Sequence, residues 1–235
     1  EIVREMSMKA GQKCTAIRRA IAPANKIDAV VKALEERLKK TVIGDPAVEG
    51  VRMGALVGRD QMQDTWDNVN KLVGESEIIC GGNRDFDIVG GDLDKGAFFP
   101  LTLLHCDAPL TKTTPHSVEA FGPVCTVMPY NGLDEAVEIA RLGKGSLAGS
   151  VFTADTQEAR DIIFGAAAYH GRFLVIDESC AKESTGHGTA MPKLVHGGPG
   201  RAGGGEELGG IRAVKHYMQR TALQGSPEML SSFTD

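Results

Sequence analysis

Along residues 25–40, "NKIDAVVKALEERLKK", the apolar positions Ile27, Val30, Val31, Leu34 and Leu38 recur every three or four residues. This spacing forms one stripe of an amphipathic helix. Asn25 offers an N-cap, and Glu35 with Lys39 forms a supporting i,i+4 pair. "RDQMQDTWDNVNKLVG" predicts a second helix ending at Gly74. The opening "EIVREMSMKA" reads as the middle of a helix with no capping residue before it, so the chain is expected to be a piece of a longer protein. "AIRRAIAP" predicts a strand closed by a proline, and "VIGDPAVEG" a loop. The strands "SEIICGG" and "FFPLTLLHC" are separated by a Gly/Asp-rich, hairpin-like surface excursion.

The second half alternates more regularly. "PVCTVMPY", "LAGSVFTAD" and "GRFLVID" read as strands, with the helices "LDEAVEIARLG" and "TQEARDIIFGAAAY" between them. Apolar runs alternating with amphipathic helices predict βαβ units, hence an α/β fold with a largely parallel sheet covered by helices. The glycine-rich stretch 184–210 predicts a long ordered loop wrapping a site or an interface, with low-complexity disorder as the competing reading. "IRAVKHYMQRTAL" resumes structure after it.

Composition narrows the function classes. The chain has 235 residues, 42% of them hydrophobic, enough for one large or two small well-packed domains. A net charge of −5 with interspersed signs provides no basic face, so nucleic acid is not an expected partner. No apolar run approaches the roughly 18 residues a membrane helix needs, and the charged start is not signal-like. The expected location is cytoplasmic, without membrane partners. Five dispersed cysteines without a CxxC pair argue against a disulfide framework and a zinc site, so reduced thiols and no metal are expected.

Among those thiols, Cys14 in "GQKCTA" follows a glycine that breaks the helix. At such a loop, backbone N–H groups can stabilise a thiolate and an adjacent oxyanion. The competing reading is a small buried hydrophobe, which Cys80, Cys106 and Cys125 keep because they lie in apolar strands. Cys180 is expected to be more exposed, with nothing nearby to suggest a role. No Cys/His pairing is readable, and His187 and His196 in the glycine-rich loop are the histidines best placed to face a ligand. "GPGRAG", residues 198–203, matches GxGxxG, but the strand before it and the helix after it are missing, so it reads as a coincidence of glycine-rich sequence. In "SVEAFGPVCTV", Glu119 sits in a loop before a strand, where a carboxylate can accept from vicinal sugar hydroxyls and Phe121 can press on a flat ring. A solvated glutamate and a core phenylalanine are the alternative.

Taken together and in this order, "GQKCTA", "GDPAVEGVRMGALV", "GAFFPLTLL", "EAFGPV" and "LAGSVFTAD" resemble the catalytic domain of the aldehyde dehydrogenase superfamily. The tail "HGTAMPKLVHGGPGRAGGGEELGG" is similar to the aldehyde dehydrogenase part of the bifunctional phenylacetate-degradation proteins of the PaaZ type. The resemblance covers essentially residues 1–235 and implies one catalytic domain without its Rossmann partner. It implies Cys14 as nucleophile, passing through a thiohemiacetal and a thioester to a carboxylic acid. It also implies Glu119 on the nicotinamide ribose, Phe121 packing beside it, and NADP or NAD as cofactor, bound mainly by the N-terminal domain.

The implied substrate is a CoA-linked semialdehyde, from either phenylacetate or benzoyl-CoA breakdown, and the full-length protein is implied to be a homo-oligomer. General base and oxyanion asparagine lie before the nucleophile in the family, so the fragment alone is expected to be inactive. In the tail, where relatives line the aldehyde tunnel with an aromatic, Arg201, His196 and Lys193 are candidate contacts for a CoA thioester. Two rival functions use the same residues differently: a CoA-acylating or acyl-transfer thiol enzyme, and a scaffold or oligomerisation module with an inert Cys14.

Overall fold

The computed structural model describes residues 1–191, 194, 196–205, 210–216, 218 and 222–233. Helix α1, Ile2–Ser7, stops at an extended Met8 and passes into a tight turn over residues 8–11. Strand β1, Arg19–Pro23, then leads through a single 3-10 turn, Ala24–Lys26, into α2, Ile27–Lys39. The expected Asn25 cap is not made. The 3-10 turn absorbs Asn25, and Lys26 takes the N-cap position without a side-chain hydrogen bond. Helix α3 spans Arg59–Val73, β2 Glu77–Cys80, β3 Thr102–His105 and α4 Thr114–Ser117. They are followed by β4 (Val124–Tyr130), α5 (Leu133–Arg141), β5 (Gly149–Phe152), α6 (Thr156–Ala166) and β6 (Phe173–Ile176). The tail contributes the two-residue strands β7, His196–Gly197, and β8, Gly204–Gly205, then the short helices α7, Ile211–His216, and α8, Pro227–Ser231.

Parallel pairing dominates. The main sheet has the order β1-β4-β3-β2, with β1 and β3 parallel to β4 and only the edge strand β2 antiparallel. Contrary to a single continuous sheet, β5 and β6 form their own parallel pair. Beyond β1 the space beside Arg19 is taken by the carbonyl end of α5, where Arg19 Nη1 donates to Ile139 O at 2.8 Å and Nη2 to Ala140 O at 3.1 Å.

Alternation along the strands sorts the core onto two faces. Ala20, Leu103, Cys125 and Val127 join Leu34 and Leu38 of α2 and Trp66, Val69 and Leu72 of α3, with the Trp66 and Phe99 rings tilted against each other, centroids 4.2 Å apart. Ile21, Cys106 and Met128 face Ile139 of α5 on the other side. Cys106 and Cys125 are fully buried, and burial pushes the Cys125 thiol up to about 12, so these are packing residues. Among the described residues no helix is long and apolar enough to cross a membrane, and no cluster of His, Cys, Asp and Glu could hold a metal ion.

Three packed histidines make the fold acid-sensitive. His116 bonds the Pro109 carbonyl at 2.8 Å, His170 the Ala166 carbonyl at 2.9 Å, and His187 the Ser150 hydroxyl at 2.7 Å. Burial pulls all three below the usual 6.5. The unfolded chain therefore binds more protons than the folded one once the pH falls through about 6.5. Stability is lost from there downward, by up to ~1.4 kcal/mol per pH unit per histidine, until the depressed folded values are passed. Glu75, Asp92 and Asp177, held low by hydrogen bonds, add their own loss only in more acidic solution. The melting temperature is expected to fall steadily from about pH 7.5 to about pH 5.5, before the carboxylates titrate. An unchanged midpoint across that window would contradict the burial argument.

Candidate active site

Cys14 stands on a turn closed by Ala16 N–H to Lys13 O at 3.1 Å, and it is exposed. The approach to it is strained. Lys9 and Ala10 carry φ values of 53° and 52°, left-handed conformations that cost non-glycine residues roughly 1–3 kcal/mol each and cluster at functional sites. Gly11 follows at φ 68°, and a Cβ there would overlap the Gly122 carbonyl. The glycine thus serves twice: it accepts the left-handed conformation, and it lets the cysteine turn dock backbone-to-backbone on the Gly122–Pro123 segment. Gln12 Oε1 adds a second anchor by accepting from Val57 N–H at 2.8 Å.

Arg18 fastens the same two segments. Its Nη2 donates to Gly11 O at 2.7 Å and to Lys13 O at 3.3 Å, its Nη1 to Gly122 O at 2.6 Å, and its Nε to Glu119 Oε1 at 3.3 Å. The guanidinium lies 5.2 Å from the centre of the Phe121 ring. Burial lowers the Arg18 pKa, and Glu119 opposes this. One side chain therefore holds the cysteine turn, Glu119 and Phe121 in a common frame. Sequence reasoning passed over it, although a cation four residues beyond the thiol was a readable partner for the carboxylate in "EAFGP".

Glu5 lies under the turn, almost fully buried, with Lys13 Nζ at 2.7 Å from one carboxylate oxygen and 2.9 Å from the other. A buried carboxylate held this way neutralises Lys13, and it is not available as a general base.

The glycine-rich loop wraps this site. His187 N–H donates to Glu1 Oε2 at 3.3 Å, Thr15 Oγ1 donates to Gly188 O at 3.3 Å, and His196 Nε2 lies 3.5 Å from Cys14 Sγ. The Cys/His pairing that the sequence did not reveal joins residues 182 positions apart. Behind it, Arg172 Nη1 lies 3.3 Å from His196 Nδ1. Burial lowers the Arg172 pKa, while Cys14 and Glu5 raise it. Gly171 comes so close to the Gly197 carbonyl that a Cβ on Gly171 would overlap it, which lets β7 lie against the residues just before β6. Arg201 is held elsewhere, donating through Nη1 to His116 O at 2.9 Å and through its N–H to Lys144 O at 3.1 Å. Within residues 198–203 the chain makes one 3-10 turn, Gly200–Ala202, after the two-residue strand β7, which is not the strand-to-helix turn that a dinucleotide-binding GxGxxG needs. Lys193 lies outside the described residues.

A thiol on an exposed, strained turn, fixed against a carboxylate and an aromatic ring, is an arrangement suited to covalent chemistry on an electrophilic carbon. A family model described as "Aldehyde dehydrogenase family" matches residues 1–223. The chain is 54% identical over 181 residues to Protein MaoC of Klebsiella aerogenes, covering 77% of this chain and 52% of that protein. It is 45% identical over 199 residues to 3,4-dehydroadipyl-CoA semialdehyde dehydrogenase of Aromatoleum evansii, covering 85% of this chain and 39% of that one. It thus spans about half the length, or less, of these curated relatives. A solved betaine aldehyde dehydrogenase variant of Staphylococcus aureus, in complex with NAD+, is similar with a TM-score of 0.74 at 25% identity, covering 88% of this chain and 40% of that one. The family match and the two curated relatives carry one conclusion: the chain belongs to the aldehyde dehydrogenase family.

Proposed function

We propose that residues 1–235 form the cysteine-bearing catalytic part of an NAD(P)-dependent aldehyde dehydrogenase acting on a CoA-linked semialdehyde. The observation that carries this reading is the Arg18 frame, which joins the exposed Cys14 turn to Glu119 and Phe121. The name of the Aromatoleum relative supports the CoA-linked substrate, and the NAD+ complex of the Staphylococcus enzyme supports the cofactor class.

The Cys14 thiolate adds to the aldehyde carbon, forming a C–S bond and an alkoxide. The Cys14 backbone N–H meets no protein acceptor among the described residues, so it is free to donate to that alkoxide. When bound, the nicotinamide cofactor supplies the acceptor for the hydride that leaves the same carbon. Water then attacks the Cys14 thioester, the C–S bond breaks, and acid and thiol are released.

The local residues fit a nicotinamide ribose. The Glu119 side chain is 44% exposed, with Oε1 on Arg18 and Oε2 without a protein partner among the described residues, so it can accept from two vicinal hydroxyls while Phe121 flanks it. Glu119→Gln removes the charge from those hydrogen bonds and is expected to raise the cofactor KM about tenfold while Cys14 alkylation stays unchanged. An unaltered cofactor KM would remove Glu119 from the ribose site. Residues 1–235 alone are expected to be inactive, so the reading as a whole is tested on the full-length protein, by mixing it with NADP+ and the CoA semialdehyde, quenching, and mapping acyl adducts by mass spectrometry. An acyl group on Cys14 is the expected result. Turnover with the adduct on another residue, or with none, would overturn the assignment.

A further inference from the structure

The contact between Cys14 and His196 has a direction that the surrounding groups determine. A guanidinium carries only N–H donors, so His196 Nδ1, 3.3 Å from Arg172 Nη1, must accept. A neutral imidazole that accepts at Nδ1 carries its proton on Nε2, the nitrogen 3.5 Å from Cys14 Sγ. We propose that His196 is a standing hydrogen-bond donor to the Cys14 thiolate, with Arg172 as the positioning residue that fixes its tautomer. This inference rests on the reading of Cys14 as nucleophile.

The usual expectation for a Cys/His pair is the reverse, an imidazole that takes the thiol proton. Here the nitrogen facing sulfur is already protonated, and a second proton on the ring would face Arg172. The thiol proton therefore leaves to water, which reaches the exposed Cys14. Arg172 reinforces the same polarity. Among the described residues it makes no ion pair with a carboxylate, and its Nη2 is buried without a hydrogen-bond partner. A partly buried cation without a carboxylate at ion-pair distance favours negative charge on the sulfur at the far side of the imidazole. The donor remains useful later, because the sulfur that leaves the hydrolysing thioester departs as the same thiolate. The close approach of Gly171 and Gly197 holds Arg172 and His196 in register for both steps.

Iodoacetamide labelling of the purified protein between about pH 5.5 and 9, resolved by cysteine through mass spectrometry, separates donor from base. His196→Leu removes the donor and is expected to slow Cys14 labelling at pH 7 about tenfold. His196→Gln keeps an amide N–H and is expected to stay within about threefold of the parent. Arg172→Met frees Nδ1 to bind a proton, and is expected to add an inflection near pH 6.5 to the labelling profile. If the glutamine variant falls as far as the leucine variant, the imidazole is a base and the donor assignment is wrong. If neither variant changes the rate, the contact has no function. Selective Cys14 labelling that ignores His196 overturns this inference alone, whereas parent Cys14 labelling no faster than Cys180 overturns the nucleophile reading with it. Melting temperatures within about 2 °C of the parent identify the variants that have kept their fold.

Discussion

In the full-length protein, Cys14→Ala is expected to abolish aldehyde oxidation, lowering kcat by roughly 10⁴-fold or more, because removing the nucleophile eliminates the covalent route altogether. The alanine variant should melt within about 2 °C of the parent, since the side chain is exposed and its sulfur bonds, among the described residues, to His196 alone, at 3.5 Å. Loss of activity without loss of stability is the outcome that separates a nucleophile from a packing cysteine. Cys125→Ala should show the opposite pattern, with a stability cost from the buried position. Formation of reduced nicotinamide, followed beside thermal unfolding, measures both. Retained turnover in Cys14→Ala would point to a different chemistry, and a large drop in melting temperature would point to a structural thiol.

Gly11→Ala should be the most damaging single change to the scaffold of the site. A methyl at φ 68° is strained wherever it sits, and here it would overlap the Gly122 carbonyl, a backbone group that cannot rotate away. Relief requires the cysteine turn to lift from the Gly122–Pro123 segment, which would pull apart the Arg18 hydrogen bonds to Gly11 and Gly122. A loss of about 4 kcal/mol is expected, a fall in melting temperature of roughly 8–16 °C for a chain of this size. Selective labelling of Cys14 should disappear together with that stability. Denaturant unfolding and cysteine labelling on the same sample check both. A variant of normal stability and labelling would show that the two backbones can separate without consequence.

Much of the architecture was readable from periodicity. The stripe from Ile27 to Leu38 became the buried side of α2, and the apolar run at 123–130 became the central strand β4, covered on both faces. Local signals failed where a neighbour decided the outcome. Asn25 was a sound cap in isolation, but the chain leaving Pro23 enters the helix through a 3-10 turn that uses it otherwise. The strands β5 and β6 had the right alternation, yet nothing local says that they pair with each other apart from β1, or that α5 ends beside Arg19.

The site divides in the same way. Gly11 marked a break in the sequence, but the left-handed Lys9 and Ala10 had no marker because those residue types rarely adopt that conformation. His196 carried no spacing that could tie it to Cys14, since the two meet only through the fold of the glycine-rich loop. Glu119, Phe121 and Cys14 were singled out separately, and Arg18, the residue that brings them into one frame, was missed because its four partners are scattered along the chain.

The docking of the cysteine turn also has a bearing on the order of folding. Its support is not local: the Arg18 bond to Gly122 spans 104 residues. A contact of that range forms only after a long loop has closed, so it belongs to the late events of folding. Until then Lys9 and Ala10 have no reason to remain left-handed, and Cys14 has no fixed place beside Glu119 and Phe121. The docked geometry of the cysteine turn is thus withheld until the chain has been made at least as far as Gly122 and the two segments have met, so the turn takes its final shape by a long-range step and not by local preference.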